Sequence, residues 1–300
     1  MYYLVTTDHL EDALWFREED DFVMGMNHVA VQAAANPGVK VLSFILMSNH
    51  VHFVLRASEQ DALSFVESFK KRYSTAFSRK YGIRALLRRN GTDVKPIPAD
   101  EPESLERAIA YVQMNCVAAG ICAHPYQYPW GTGNAFFKFG GSFPGSDRAE
   151  VRKIHTIGSM TKRARKYAFH SISDCIPADW YVCDDKGYIL PESYVAVNEV
   201  QNIFRTPKRL EYFLNSSSKA RKRLEIKEEM LPSFKDQSII GVLPDLCHSL
   251  FQKSSFKELT PEQQTELMRH IRYRFSANVN QIARVCGLSY ADAAARLDTI

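Results

Sequence analysis

The chain has 300 residues, 45% hydrophobic and 24% charged, which is an ordinary globular composition with enough apolar material for one large core or two smaller ones. Its first twenty residues carry acids where a secretory signal carries bases, and no apolar run reaches the ~18 residues of a membrane span, so export and membrane insertion are excluded as expectations. The formal net charge of +4 does not by itself mark a nucleic-acid protein; the distribution of that charge says more.

In chain order, Tyr2-Tyr3-Leu4-Val5-Thr6-Thr7 reads as a strand, and 21–36 as a helix stopped by Asn36-Pro37-Gly38. The apolar run 41–47, the turn Ser48-Asn49 and the second run 50–55 predict a hairpin. Ser58 with Asp61 caps a long amphipathic helix over 59–80, its apolar stripe formed by Ala62, Phe65, Val66, Phe69, Tyr73 and Phe77. Its other face and the segment beyond carry Lys70, Lys71, Arg72, Arg79, Lys80, Arg84, Arg88 and Arg89. Residues 90–102 are turn-rich and read as a loop, before a helix from Glu103 to Ala119 ended by Gly120.

Past residue 125 a segment rich in aromatics, Gly and Pro closes a first domain, placed at 1–140; 141–259 reads as a mixed accessory region and 260–300 as helical. The accessory region holds a hairpin signal at Asp184-Asp185-Lys186-Gly187, a helix start at Thr206-Pro207 and the basic run Lys219-Ala220-Arg221-Lys222-Arg223. Helices are predicted over 261–275, 279–286 and 290–298, with Gly287-Leu288-Ser289 as the turn either of a helix-turn-helix whose second helix offers Tyr290 and Arg296 to DNA or of a plain packed helical hairpin. The six cysteines form no CxxC pair and read as reduced, mostly buried thiols.

Two constellations carry chemistry. Alternate residues of a strand share a face, so His50 and His52 project together while Val51, Phe53 and Leu55 point the other way. That is the arrangement in which a divalent cation takes two nitrogen ligands. On the helix near 111, residues four apart share a face, so Tyr111 and Asn115 project together and Gln113 points elsewhere. Asn115 is therefore the better third ligand, its amide oxygen suiting Mg²⁺ or Mn²⁺.

The string Met47-Ser48-Asn49-His50-Val51-His52-Phe53-Val54-Leu55 resembles the HUH signature of the single-tyrosine transposases, and Ala110-Tyr111-Val112-Gln113-Met114-Asn115-Cys116 resembles their catalytic helix, with Cys116 where the family has proline. Arg79-Lys80-Tyr81-Gly82, Arg89-Asn90-Gly91 and Tyr128-Pro129-Trp130 are similar to segments of the REP-associated (IS200-like) branch. The C-terminal helices resemble the trihelical DNA-binding domain of bacterial replication initiators.

The resemblance implies an α+β fold: a ferredoxin-like antiparallel sheet with helices on one face, the metal site on the other, and a mostly helical C-terminal region. It implies a metal held by His50, His52 and Asn115, with Tyr111 attacking single-stranded DNA beside a hairpin to form a 5′-phosphotyrosine intermediate. Phosphate contacts would come from the basic residues at 70–89, and base stacking from Tyr126, Tyr128 and Trp130. The enzyme would act as monomer or homodimer in the bacterial cytoplasm, at the nucleoid. The group that deprotonates Tyr111 is not legible. The competing expectation is a non-catalytic, hairpin-binding regulator derived from a transposase.

Overall fold

The computed structural model describes residues 1–10, 14–84, 86–87, 90–119, 121–122, 124–137, 154–169, 175–183, 186–225, 236–275, 277 and 279–298. Four strands, β1 (Tyr2–Thr7), β2 (Lys40–Met47), β3 (His50–Arg56) and β4 (Thr92–Pro96), form an antiparallel sheet in the order β2-β3-β1-β4. Helix α1 (Glu19–Ala35) joins β1 to β2, and α2 (Glu59–Tyr81) joins β3 to β4. The expected hairpin forms with Met47 opposite His50, and the cap of α2 forms as read, Ser58 Oγ accepting from the Asp61 amide at 3.1 Å.

The two faces of the sheet carry different helices. Phe53 sits 5.9 Å, centroid to centroid, from both Phe65 and Phe69, so α2 covers the face of the odd-numbered β3 residues. Leu46, cross-strand from Val51 on that face, crowds Gly25 of α1. The stripe Ala62, Phe65, Val66, Phe69, Tyr73 and Phe77 is fully sequestered there. Helix α3 (Ser104–Gln113), followed by the short α4 (Asn115–Ala118), lies on the opposite face, against β2 and β3. Helices therefore occupy both faces, a correction to the expectation of one, because the apolar residues Ile109, Ala110 and Val112 need a buried surface as much as those of α2 do.

Three local readings change. Residues 92–96, taken for loop, form β4, because the free edge of β1 supplies partners that the local sequence does not advertise; Pro96 is admissible because β4 is itself an edge. The helix expected over 103–119 divides at Met114, and its expected stop, Gly120, lies outside the described residues. Tyr128-Pro129-Trp130-Gly131-Thr132 runs beside β2 as a short extra edge rather than a linker, with Leu46 N donating to Trp130 O at 2.8 Å and Thr132 N to Phe44 O at 3.1 Å.

The core of the sheet also takes Tyr188, Leu190, Val200, Phe204, Leu210 and Phe213, from the segment containing α6 (Val197–Phe204) and α7 (Pro207–Glu225); α7 packs across α3. β5 (Ile154–Thr156) and β6 (Tyr181–Cys183) pair, with α5 (Lys162–Phe169) between them in sequence. Val182 bridges Ile189 across the expected 184–187 turn, whose Asp184 and Asp185 lie outside the described residues. Helices α8 (Asp236–Phe251), α9 (Pro261–Phe275), α10 (Val279–Cys286) and α11 (Tyr290–Asp298) share a separate apolar cluster, which meets the sheet body through Tyr273 against Phe22 and Tyr128. Gly287 (φ 67°) makes the turn between α10 and α11, and Ser289 Oγ caps α11. All six cysteines are free, and no described helix is long and apolar enough to cross a membrane.

The close approach of the 128–132 segment to β2 depends on Gly131, where an added Cβ would lie 2.8 Å from the Phe44 carbonyl oxygen and 3.2 Å from Ile45 Cα. Gly131→Ala is expected to destabilise the fold by roughly 1–3 kcal/mol. Gly38→Ala, where a Cβ meets nothing within 4 Å, should shift stability by no more than about 0.5 kcal/mol. Denaturant midpoints of the two variants check both.

Candidate active site

The pleat of β3 sends His50 and His52 to the face that α3 crosses, and both imidazoles are buried, at 4% and 2% exposure. Their ring centroids lie 4.8 Å apart and nearly perpendicular. Each Nδ1 is held. Asn49 directs its amide nitrogen to the Leu10 carbonyl at 3.3 Å, which turns its Oδ1 toward His50 Nδ1 at 2.8 Å. An amide oxygen only accepts, so the proton of His50 sits on Nδ1 and Nε2 is its basic atom. His52 Nδ1 meets the hydroxyl of Thr6, its cross-strand partner on β1, at 3.0 Å. Hydrogen bonding at Nδ1 is how a protein orients an imidazole to present Nε2.

Tyr111 stands over this pair. Its ring is edge-on to His52 at 5.7 Å, with 38% of the residue exposed, so the phenol is near the imidazoles and open to a substrate. Asn115 is buried one turn on, and its amide nitrogen donates to the carbonyls of Tyr111 at 2.9 Å and Val112 at 3.2 Å. Those two bonds turn its Oδ1 away from the helix backbone. Gln113 is buried at 2% exposure, and neither of its amide atoms has a hydrogen-bond partner among the described residues.

The spacing tests whether a cation fits. Two imidazoles sharing one ion at a metal–nitrogen distance of about 2.1 Å keep their centroids roughly 4.5–5.2 Å apart, which the His50–His52 separation of 4.8 Å satisfies. His9 does not satisfy it: it stacks on His50 at 3.7 Å and 21°, too close and too parallel to aim at the same ion. No three of His, Cys, Asp and Glu converge among the described residues, so a cation here depends on the two histidines and the amide oxygen of Asn115.

Several neighbours of the site were not singled out from sequence. Thr6 and His9 come from β1 and the loop after it, and Asn49 from the hairpin turn. Lys95 projects from β4 onto the same face, because its partner Leu4 also pairs with Val54, two residues from His52. The Asp93 carboxylate at 2.8 Å, with a smaller contribution from Tyr111, holds the Lys95 ammonium above its ordinary pKa. Only the strand register could have identified Thr6 and Lys95, and that register is not local information.

The basic residues proposed to hold DNA are not brought to this site. Lys70, Lys71, Arg72, Arg79 and Lys80 all lie on α2, behind the sheet. Lys70 is a correction: it is buried at 3% exposure, and its ammonium is shared among Glu67 (2.8 Å), the Asn90 carbonyl (2.5 Å) and Thr92 (2.9 Å). Lys80 is tied to Glu18 and Asp21, and Arg72 to Gln32. Lys71 and Arg79 are exposed; Arg88 and Arg89, like the side chains of 219–223, lie outside the described residues. Tyr128 and Trp130 are buried at 2% exposure each and cannot stack on bases, whereas Tyr126 is half-buried and stacks on His124. In the C-terminal helices Tyr290 is exposed, and Arg296 donates to Gln264.

No curated protein and no solved structure matches the chain. A family model does: over residues 16–90 the chain is similar to the IS200-like transposases, a span that carries His50 and His52 and stops before Tyr111 and Asn115.

Proposed function

We propose that the chain is an IS200-like transposase of the HUH type that cleaves and rejoins single-stranded DNA beside hairpins, with Tyr111 as nucleophile. The observation that carries this reading is the approach of the exposed Tyr111 ring to the buried His52 ring, 5.7 Å apart within one chain. The match over residues 16–90 supports the transposase assignment, and the βαββαβ connectivity of the sheet supports a ferredoxin-like, HUH-type fold. The segments 79–82, 89–91 and 128–130 favour the REP-associated branch.

In this mechanism the Tyr111 oxygen attacks the scissile phosphorus, its proton passing to solvent or a neighbouring base. The bond from phosphorus to the 3′ oxygen breaks, and that oxygen leaves as a 3′-hydroxyl after taking up a proton. The 5′ end stays on Tyr111 as a phosphodiester. Because this linkage keeps the bond energy, attack by another 3′-hydroxyl rejoins strands without ATP. His50, His52 and Asn115 would hold Mg²⁺ or Mn²⁺, which supplies Lewis-acid polarisation of the phosphate. A phenol with an ordinary pKa near ~10 is a poor nucleophile at neutral pH until a neighbouring base or cation helps it lose its proton. Thr6 and Asn49 keep the two imidazoles in orientation. The enzyme would act as a monomer or a homodimer.

Incubation with hairpin-flanked single strands and Mn²⁺ should yield a covalent protein–DNA adduct that Tyr111→Phe reduces to background. Absence of any adduct from the wild-type protein on cognate strands would sink the enzyme reading in favour of a hairpin-binding regulator. Asn49→Ala, which frees the His50 ring, is expected to raise the Mn²⁺ concentration for half-maximal adduct by roughly 10–100-fold. At saturating Mn²⁺ the same variant should recover the wild-type adduct.

A further inference from the structure

Helix α5 carries Lys162, Arg163, Arg165 and Lys166 within eight residues and no acid. Two of these cations stand in its first turn, where the helix dipole disfavours them, so the charge does not serve the stability of α5 itself. Its one buried side chain, Phe169, packs with Ala30 and Val31 of α1. That anchor sets α5 beside the outer face of α2. Phe169 lines a groove of about 370 Å³ together with His28, Ser68, Lys71, Arg72 and Arg79. A second groove of about 490 Å³, on the other flank of the same ridge, shares Lys71 and Arg79 and adds the hydroxyls of Ser74 and Ser78.

None of the ion pairs among the described residues involves Lys71, Arg79, Lys162, Arg163 or Lys166. Tyr167, directly after the basic run, is 86% exposed. The side of the molecule that carries Tyr111 is different. There Lys95 is paired with Asp93, Arg107 with Glu101 and Glu103, and Arg209 with Glu103 and Glu106. Lys95, Arg107 and Arg209 are thus tied to neighbouring acids, whereas the cations named above on α2 and α5 have no ion-pair partner among the described residues, which favours the latter for a phosphate backbone.

We propose that α5 and the outer face of α2 form a second nucleic-acid surface, which holds the phosphate backbone of a duplex DNA stem while the adjoining single strand reaches Tyr111. The proposal rests on the transposase reading above and adds to it a surface of which α2 lies within the family-matched span and α5 outside it. Lys71, Arg79, Lys162, Arg163 and Lys166, which have no ion-pair partner among the described residues, release counterions on binding a duplex, the hydroxyls of α2 donate to phosphate oxygens, and Tyr167 offers a ring to an unpaired base at the foot of the stem. The α2 ridge continues toward β4, the sheet edge from which Lys95 reaches the site, so a strand leaving the stem has a short route around that edge.

The test measures binding of the full chain to a fluorescein-labelled DNA hairpin with a single-stranded tail, by anisotropy across a salt series. The variants are the triple Lys162→Gln, Arg163→Gln, Lys166→Gln and the double Lys71→Gln, Arg79→Gln, each checked for an unchanged melting transition. The triple is expected to flatten the slope of log affinity against log salt by roughly 2–3 and to weaken binding at least about 10-fold; the double should flatten it by roughly 2. Slopes and affinities equal to wild type in both sets overturn the proposal. So does loss of binding to phosphatidylserine vesicles by the triple with hairpin binding intact, which would make this a membrane-facing surface. Adduct formation is read separately: hairpin binding that depends on α5 without any wild-type adduct leaves the surface standing and removes the transposase reading.

Discussion

The pleat of β3 is the constraint on which the site depends. Phe53 cannot leave the core without exposing a ring packed against both Phe65 and Phe69, and while it stays, His50 and His52 must face the other way. A slip of one residue in the β1–β3 register would bury the histidines under α2 and expose Val51, Phe53 and Leu55. The hydrophobic core therefore aims the imidazoles, and the same register sets Thr6 opposite His52 as its hydrogen-bond partner.

The turn before β3 is held as firmly as the strand. The carbonyl of Ser48 accepts from the amides of Trp15 and Phe16, and that of Asn49 from Leu10, so the segment after β1 is laced onto the hairpin. Tyr73 of α2 donates to the Trp15 carbonyl from the far side, and burial pushes its phenol well above the ordinary tyrosine pKa, which keeps it a donor. Asp8 is fixed in turn by Asn90 and Gly91. His9 lies between these two anchors, and its stacking on His50 follows from them.

The candidate site and the exposed cations of α2 and α5 lie on opposite sides of the sheet. On one side α3 presents Tyr111 among ion pairs that neutralise one another; on the other, α2 and α5 expose cations without acidic partners among the described residues. A compact βαββαβ unit has room for this division because its helical layer and its open sheet face look in opposite directions, and α3 covers only part of the latter. The buried Lys70 shows that not every cation on α2 belongs to the exposed set: its ammonium joins α2 to the turn before β4 through Asn90 and Thr92.

Much of this was legible in the residues alone. Alternation in 50–55 puts His50 and His52 on one face and Val51, Phe53 and Leu55 on the other, and the spacing of Tyr111 and Asn115 brings the two close together, because such periodicities are local properties of the backbone. The stripe of α2 and the bounds of α9, α10 and α11 are read the same way. Long-range pairing was not legible. Residues 92–96 become a strand only because β1 has a free edge, Lys95 nears Tyr111 only through that pairing, and Trp130 is buried only because its segment lies along β2. The fate of Lys70 was equally hidden, since an amphipathic pattern identifies a polar helix face but not which of its cations another element will cover. Local periodicity determined which side chains travel together; the crossing of α3 over the sheet decided what they meet.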